Sequence, residues 1–254
     1  MPAAYEEILQ KAILPTALSS REIREAVAAG VRRRSLFSAR TEERAHLERL
    51  RELLSAYAEG RINAADFVKA AQDSLEELGY DPEAEGADRN SLRDRASEAR
   101  LRLILRTNVG QARSAARMAA AAADPDGGYF FPGWVLRRNG SRRAPRDWPA
   151  RWKAAGEAVA WEGASRTALV ALKGSPIWAA LGDGAGGFGD TLGNPFPPFA
   201  FNSGMDWFEA DRATCARLGL VDADAPPPQD DDFGKELPEE DRQALLDWAM
   251  EDPA

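Results

Sequence analysis

Apolar residues in the first half of the chain return every three or four positions, the period of a helix with one buried face. Leu47, Leu50, Leu54 and Tyr57 hold that spacing until Gly60, where a left-handed residue ends the run. Asn63 can cap a following helix whose Phe67, Ala71, Leu75 and Leu78 share one face ahead of Gly79, which predicts two antiparallel helices joined by a short turn. Upstream, Ser19 and Glu22 have capping-box spacing, in which hydroxyl and carboxylate each satisfy an orphan backbone N–H. Downstream, 81–90 is polar and reads as a loop. Ser91 with Asp94 then opens a long helix expected to reach Ala123, ahead of Asp124-Pro125-Asp126-Gly127-Gly128.

Beyond that point the pattern changes. Trp134 to Arg138 reads as a short strand, and Asn139-Gly140 is a type I′ hairpin signal because both central positions favour positive φ. Arg166 to Lys173 holds the apolar run Leu169, Val170, Ala171 and Leu172, of strand length. Pro176 to Leu181 predicts one or two helical turns, and 182–204 is a loop of Gly, Pro and Phe too long for a simple connection. Asp211 to Leu218 predicts a helix ended by Gly219. Pro226-Pro227-Pro228 and the acidic residues after it read as a stiff, solvated linker before a last short helix, Pro238 to Met250.

Composition sharpens the division. Only five of the 21 glycines and none of the seven tryptophans precede Gly127. The expected fold is α+β: a helical region over 1–126, a compact, loop-rich α+β region with short strands over 127–221, and an acidic linker with a short C-terminal helix over 222–254. The net charge of −8 is uneven, because 222–254 holds 12 acidic residues against Lys235 and Arg242 and so carries −10, leaving +2 on 1–221. A chain of 254 residues with 44% apolar content can bury a core without metal or disulfide. Cys215 is the only cysteine and His46 the only histidine, which removes an intrachain disulfide, a Cys-based zinc site within one chain and most His-dependent triads. The chain lacks a run of the roughly 18 apolar residues that a membrane helix needs, and its N-terminus lacks a signal peptide's basic and apolar regions. A soluble, intracellular protein without membrane contact is expected.

Charge is also patterned within the body. Arg95, Arg102, Arg106, Arg113 and Arg117 fall along one stripe of the expected long helix, with Leu101, Leu105, Val109, Ala112, Ala116 and Ala119 as its apolar face. The stripe reads either as a solvated face or as a surface for phosphates or an acidic partner, the latter favoured because acidic residues do not alternate along it. A second basic cluster, Arg137, Arg138, Arg142, Arg143, Arg146 and Arg151, surrounds the expected hairpin with Trp134, Trp148 and Trp152 interleaved. Arginine among aromatic rings suits a nucleic-acid backbone with unstacked bases, and equally suits guanidinium packing on tryptophan within a fold or subunit surface.

Other chemistry is sparse. Gly184, Gly186 and Gly189 make a literal GxGxxG, but no strand precedes it and no helix follows, so a mobile loop is expected rather than a dinucleotide site. Asp147, Asp190 and Asp206 sit beside tryptophan or turn residues and read as backbone hydrogen-bonding partners. Ser203 lacks a nucleophile elbow. His46 reads as a surface histidine and Cys215 as a small buried side chain. No cofactor or metal is expected, and no catalytic constellation stands out.

The order of these pieces resembles the head-morphogenesis, or minor head, proteins of tailed phages, the phage Mu-type group. The resemblance begins in Arg100 to Arg113, similar to the family's helix with an Arg-Thr-Asn core, and continues through Pro145 to Trp148 and Ala168 to Lys173. It is most specific in Ser175 to Gly182 and Asp190 to Met205. Many members carry Asn-Cys-Arg-Cys after Pro-Pro, whereas this chain has Phe199-Ala200-Phe201-Asn202-Ser203-Gly204, so no metal or thiol role is carried over. Pro197, Pro198 and Asn202 match by position and, with Phe199, Phe201, Trp148 and Trp178, read as architectural.

The resemblance implies a non-enzymatic protein, present in few copies in the capsid interior or near the portal vertex. It would act in head assembly and DNA packaging or delivery, with portal and major capsid proteins as partners and double-stranded DNA as a further contact. Two alternatives stay open from the residues: a nucleic-acid-binding module built on the stripe, and a virion-carried nuclease or transferase using carboxylates such as Asp147 and Asp190.

Overall fold

The computed structural model describes residues 4–140 and 144–226. Residues 1–223 form one unit, to which every element below belongs. The second unit, 224–254, is described only as far as Pro226, so the helix expected over Pro238 to Met250 lies outside the described residues.

The architecture is α+β, helical first and mixed afterwards. The first half runs α1 (Ala4–Leu9), β1 (Ala12–Ile13), α2 (Ser20–Ala26), α3 (Ala29–Arg34), β2 (Ser35–Leu36), α4 (Arg44–Ala58), α5 (Ala64–Glu77) and α6 (Glu98–Ala122). β1 and β2 pair in parallel, Ala12 opposite Ser35 and Ile13 opposite Leu36. The expected capping box of Ser19 with Glu22 opens α2, and Asn63 caps α5 as expected, in a second box completed by Asp66. Gly60 and Gly79 have φ of 77° and 73°, the left-handed conformation that ends α4 and α5. Leu47, Leu50, Leu54, Phe67 and Ala71 meet Leu101, Leu105, Val109 and Ala112 of α6 in one apolar core, and Leu75 is buried as well. Leu78, expected on that face, is 47% exposed because it lies just past the end of α5.

His46, expected on the surface, is buried on α4 with Nδ1 3.1 Å from Ser74 Oγ on α5. Burial, helped by the positive charge of Arg95, holds its pKa down at about 4. An unfolded histidine takes up its proton near pH 6.5 and the folded one only near 4, so the unfolded state binds more protons between these values and stability falls as pH falls through them. The separation is worth at most about 3 kcal/mol, and screening by nearby solvent trims it to about 2. Denaturant titrations at pH 7 and pH 4 should show the native chain losing about 2 kcal/mol more than a His46→Gln variant; equal losses would contradict this account of His46.

The second half runs α7 (Pro125–Phe130), β3 (Gly133–Arg138), α8 (Trp148–Ala158), β4 (Val170–Leu172), α9 (Ile177–Asp183), β5 (Met205–Ala210) and α10 (Arg212–Arg217). The sheet order is β4-β3-β5, antiparallel throughout, with Trp134 opposite Ala171 and Leu136 opposite Trp207. The hairpin expected at Asn139-Gly140 therefore does not form: both sides of β3 are taken by strands distant in sequence, and Trp148 already lies in α8. Asp147 caps α8 through Ala150 N–H, and Pro149 sits in its first turn, where a missing N–H costs nothing.

One face of the sheet carries a core of aromatic rings. Trp134 stacks on Trp207 at 5.0 Å and 6°, and Trp178 meets the edges or faces of Trp152, Trp207 and Phe199. Val170, Ala210 and Cys215 form a smaller cluster with Val135. No helix among the described residues is long and apolar enough to cross a membrane.

Candidate interaction surface

The long helix α6 starts at Glu98, later than Ser91. Ser91 Oγ takes the N–H of Arg93 and Asp94, and the Asp94 carboxylate accepts from Asn90 N–H, Ala96 N–H and the Tyr80 hydroxyl. These side chains divert the backbone into turns until Ser97 caps the helix through Arg100 N–H. Arg95 thus lies outside the helix. It is 5% exposed, its guanidinium pairs with Glu43 at 2.6 Å and with Glu85, and it lies 4.5 Å from the Tyr80 ring. Arg95 is a structural bolt and leaves the stripe.

The other four stripe arginines differ among themselves. Arg102 is neutralised by Glu98 one turn earlier, at 2.5 Å, so an acidic partner does stand at this end of the stripe. Arg117 donates to the Trp207 carbonyl at 2.8 Å and lies 3.7 Å from Asp206, tying α6 to β5. Arg106 and Arg113 are exposed and make no ion pair or side-chain hydrogen bond among the described residues. They border a groove of about 350 Å³ whose far wall is Pro197, Pro198, Asn202, Ser203 and Gly204.

That wall comes from the loop before β5. Leu192 N–H bonds Phe199 O, Gly193 N–H bonds Gly182 O, and the Asn194 amide donates to Pro198 O. Phe199 is fully buried against Trp148, Trp178 and Trp207, which anchors the loop, while Phe201 is only partly buried. The bond between Pro197 and Pro198 is cis. Gly110 faces this wall, where a Cβ would make an ordinary contact, 3.4 Å from Pro198 Cδ. Asn202 and Gly204, with φ of 53° and 66°, turn the chain out of the groove and into β5.

The second basic cluster disperses. Arg142 and Arg143 lie outside the described residues. Alternation along β3 sends Arg137 and Arg138 to opposite faces, with Arg137 5.9 Å from the Phe208 ring. Arg146 and Arg151 converge on Asp190, both at 2.7 Å, and Arg146 also donates to Phe201 O. Despite partial burial, the two guanidinium groups hold the Asp190 carboxyl below its ordinary pKa, so it is ionised and fully engaged. Asp147 is likewise occupied as a helix cap. The interleaved Trp134, Trp148 and Trp152 are each at most 2% exposed and present no face to a base. Gly184 ends α9 in a left-handed conformation, and no helix opens from the GxGxxG. No group of three His, Cys, Asp or Glu side chains suited to a metal occurs among the described residues.

Sequence reasoning overlooked Lys11 and Arg100. Arg100 lies off the stripe and is 8% exposed. Its one signal was a cation beside Leu101 on the apolar side of Arg102. Lys11 sits in a stretch with no periodicity, yet its ammonium reaches Asn108 and Gln111 on α6. Compared with known proteins, the chain matches no family model, no curated protein and no solved structure.

Proposed function

We propose that the chain is a non-enzymatic assembly protein of a tailed-phage head, working in the capsid interior or at the portal vertex, and that the Arg106–Arg113 groove faces its partner there. One observation carries this reading. Two of the segments that resemble minor head proteins, Arg100 to Arg113 and Asp190 to Met205, are far apart in sequence yet line one groove from opposite sides. Two exposed cations without partners lie along it, and such charges steer an acidic surface into register more than they stabilise the fold. Portal and major capsid proteins are the partners this reading names. The test is sedimentation of the full chain with each of them: a complex is expected with at least one, and none with either removes the basis for the proposal.

A second reading, contact with packaged DNA, is favoured by the same two arginines. It requires affinity for duplex DNA that falls steeply with salt, because each phosphate neutralised releases counterions. Binding that is absent or indifferent to salt sinks it while leaving the protein-partner reading intact.

A further inference from the structure

A cavity of about 390 Å³ lies on the neighbouring side of α6, separated from the groove by Leu103 and Thr107, which border both. Its size falls within the range of about 300–1,000 Å³ that holds small organic ligands. Ile23, Phe37, Ile104, Leu192 and Phe201 give it an apolar lining, and Leu92, 59% exposed, stands at its edge. Five arginines also line it, Arg24, Arg32, Arg40, Arg93 and Arg100, and no carboxylate does among the described residues.

Neither of the two inner arginines forms an ion pair among the described residues, and Asp94 and Glu85 act on Arg100 only at longer range. The buried Arg100 guanidinium donates to Ser38 Oγ at 2.7 Å, to Arg93 O at 3.2 Å and to Ala39 O, all neutral acceptors. Burial, with Arg95 nearby, pushes it down to about 10. Arg32 donates one N–H to Arg24 O at 3.1 Å, and its Nε is buried without a hydrogen-bond partner. Behind the wall, the Lys11 ammonium is held by the amide oxygens of Asn108 and Gln111, at 3.0 and 3.1 Å, with Glu7 acting at longer range, and Asn108 and Gln111 line the cavity. Burying a charge without an opposite charge is costly, and hydrogen bonds to neutral oxygens recover only part of that cost. An anion entering the cavity supplies the missing charge, and the apolar lining requires that it bring an apolar body.

We propose that this cavity binds an amphiphilic anion, its carboxylate or phosphate head against Arg100 and Arg32 and its aliphatic body over Ile23, Phe37, Ile104 and Leu192. The site does not depend on the assembly role. Arg24, Arg40 and Arg93 surround the head with further positive charge, and Leu92 covers the end of the chain. Head and body both contribute, so neither an uncharged alcohol nor inorganic phosphate occupies the site well.

The test is isothermal titration and thermal unfolding of the full chain with decanoate and decyl phosphate below their micellar concentrations, against decanol, decyltrimethylammonium and inorganic phosphate. One-to-one binding of at least one amphiphilic anion is expected, with a raised Tm, at least tenfold tighter than decanol and absent for the cation. Which of the two binds tighter separates a carboxylate ligand from a phosphate-headed one. Arg32→Gln should weaken binding at least tenfold. Leu92→Trp, which narrows the edge without touching the core, should weaken it while leaving unliganded Tm unchanged. Equal binding of decanol or the cation, unchanged binding by Arg32→Gln, or no binding of either anion would overturn the proposal.

Discussion

Replacing Trp207 by alanine is expected to cost about 4 kcal/mol of folding stability, the scale of a large aromatic lost from a packed core. Trp207 is 2% exposed, stacks on Trp134 and meets Trp178 and Phe199 edge to face, so its removal opens a void at the centre of the ring cluster. Its indole N–H is buried without a hydrogen-bond partner. Trp207→Phe keeps a ring in place and removes that orphan donor, and should therefore cost less than about 2 kcal/mol. Denaturant midpoints of the two variants measure this directly. Comparable losses would mean that the cluster depends on the indole in particular and not on aromatic packing.

Gly182→Ala is expected to be as damaging, for a different reason. An added Cβ would lie 1.7 Å from Asn194 O and 2.7 Å from Asn194 C, and Gly193 N–H is bonded to Gly182 O across the same contact. The clash is with backbone, and Asn194 is 1% exposed, so no flexible side chain can yield. A loss of about 3 kcal/mol or more follows from overpacking without an escape. Gly189→Ala is the matched control: a Cβ there meets nothing within 4 Å, and stability should be nearly unchanged. Both positions lie in the glycine-rich stretch. Gly182, outside the literal GxGxxG, and Gly186, within it, are both held to glycine by backbone contacts, with Asn194 O and with Ala155 N at 2.9 Å, so close packing is the reason for these glycines.

The helical half was legible because its signals are local. Ser19 with Glu22 states a helix start in four residues, Asn63 marks the next, and the α4 and α5 apolar faces repeat at a fixed period. β5 was not legible: Met205 and Trp207 face the aromatic core but Phe208, between Trp207 and Glu209, is 41% exposed, so hydrophobicity does not alternate cleanly. α8 was hidden because its arginines and tryptophans read as a binding cluster, when Trp148 and Trp152 are core and Arg151 serves Asp190.

The site divides in the same way. A helical wheel finds which arginines share a side but not which ones tertiary partners consume. Glu43 and Glu85 take Arg95, and Trp207 O takes Arg117. Arg106 and Arg113 remain, and their meeting with Pro197 and Pro198 depends on the loop path anchored by Phe199, which no local pattern encodes. The buried charges of Lys11 and Arg100 depend on neighbours distant in sequence and have no local signature either.

The most direct test of the account is a sedimentation titration of the native chain and an Arg106→Gln/Arg113→Gln double variant against portal and major capsid proteins. Both arginines are exposed and unpaired, so the variant should fold with unchanged Tm. If the groove is the contact surface, the native chain forms a complex and the double variant binds it about tenfold more weakly, the scale expected for losing two interface charges. A double variant that binds as tightly as the native chain, or a native chain that binds neither protein, would contradict the account.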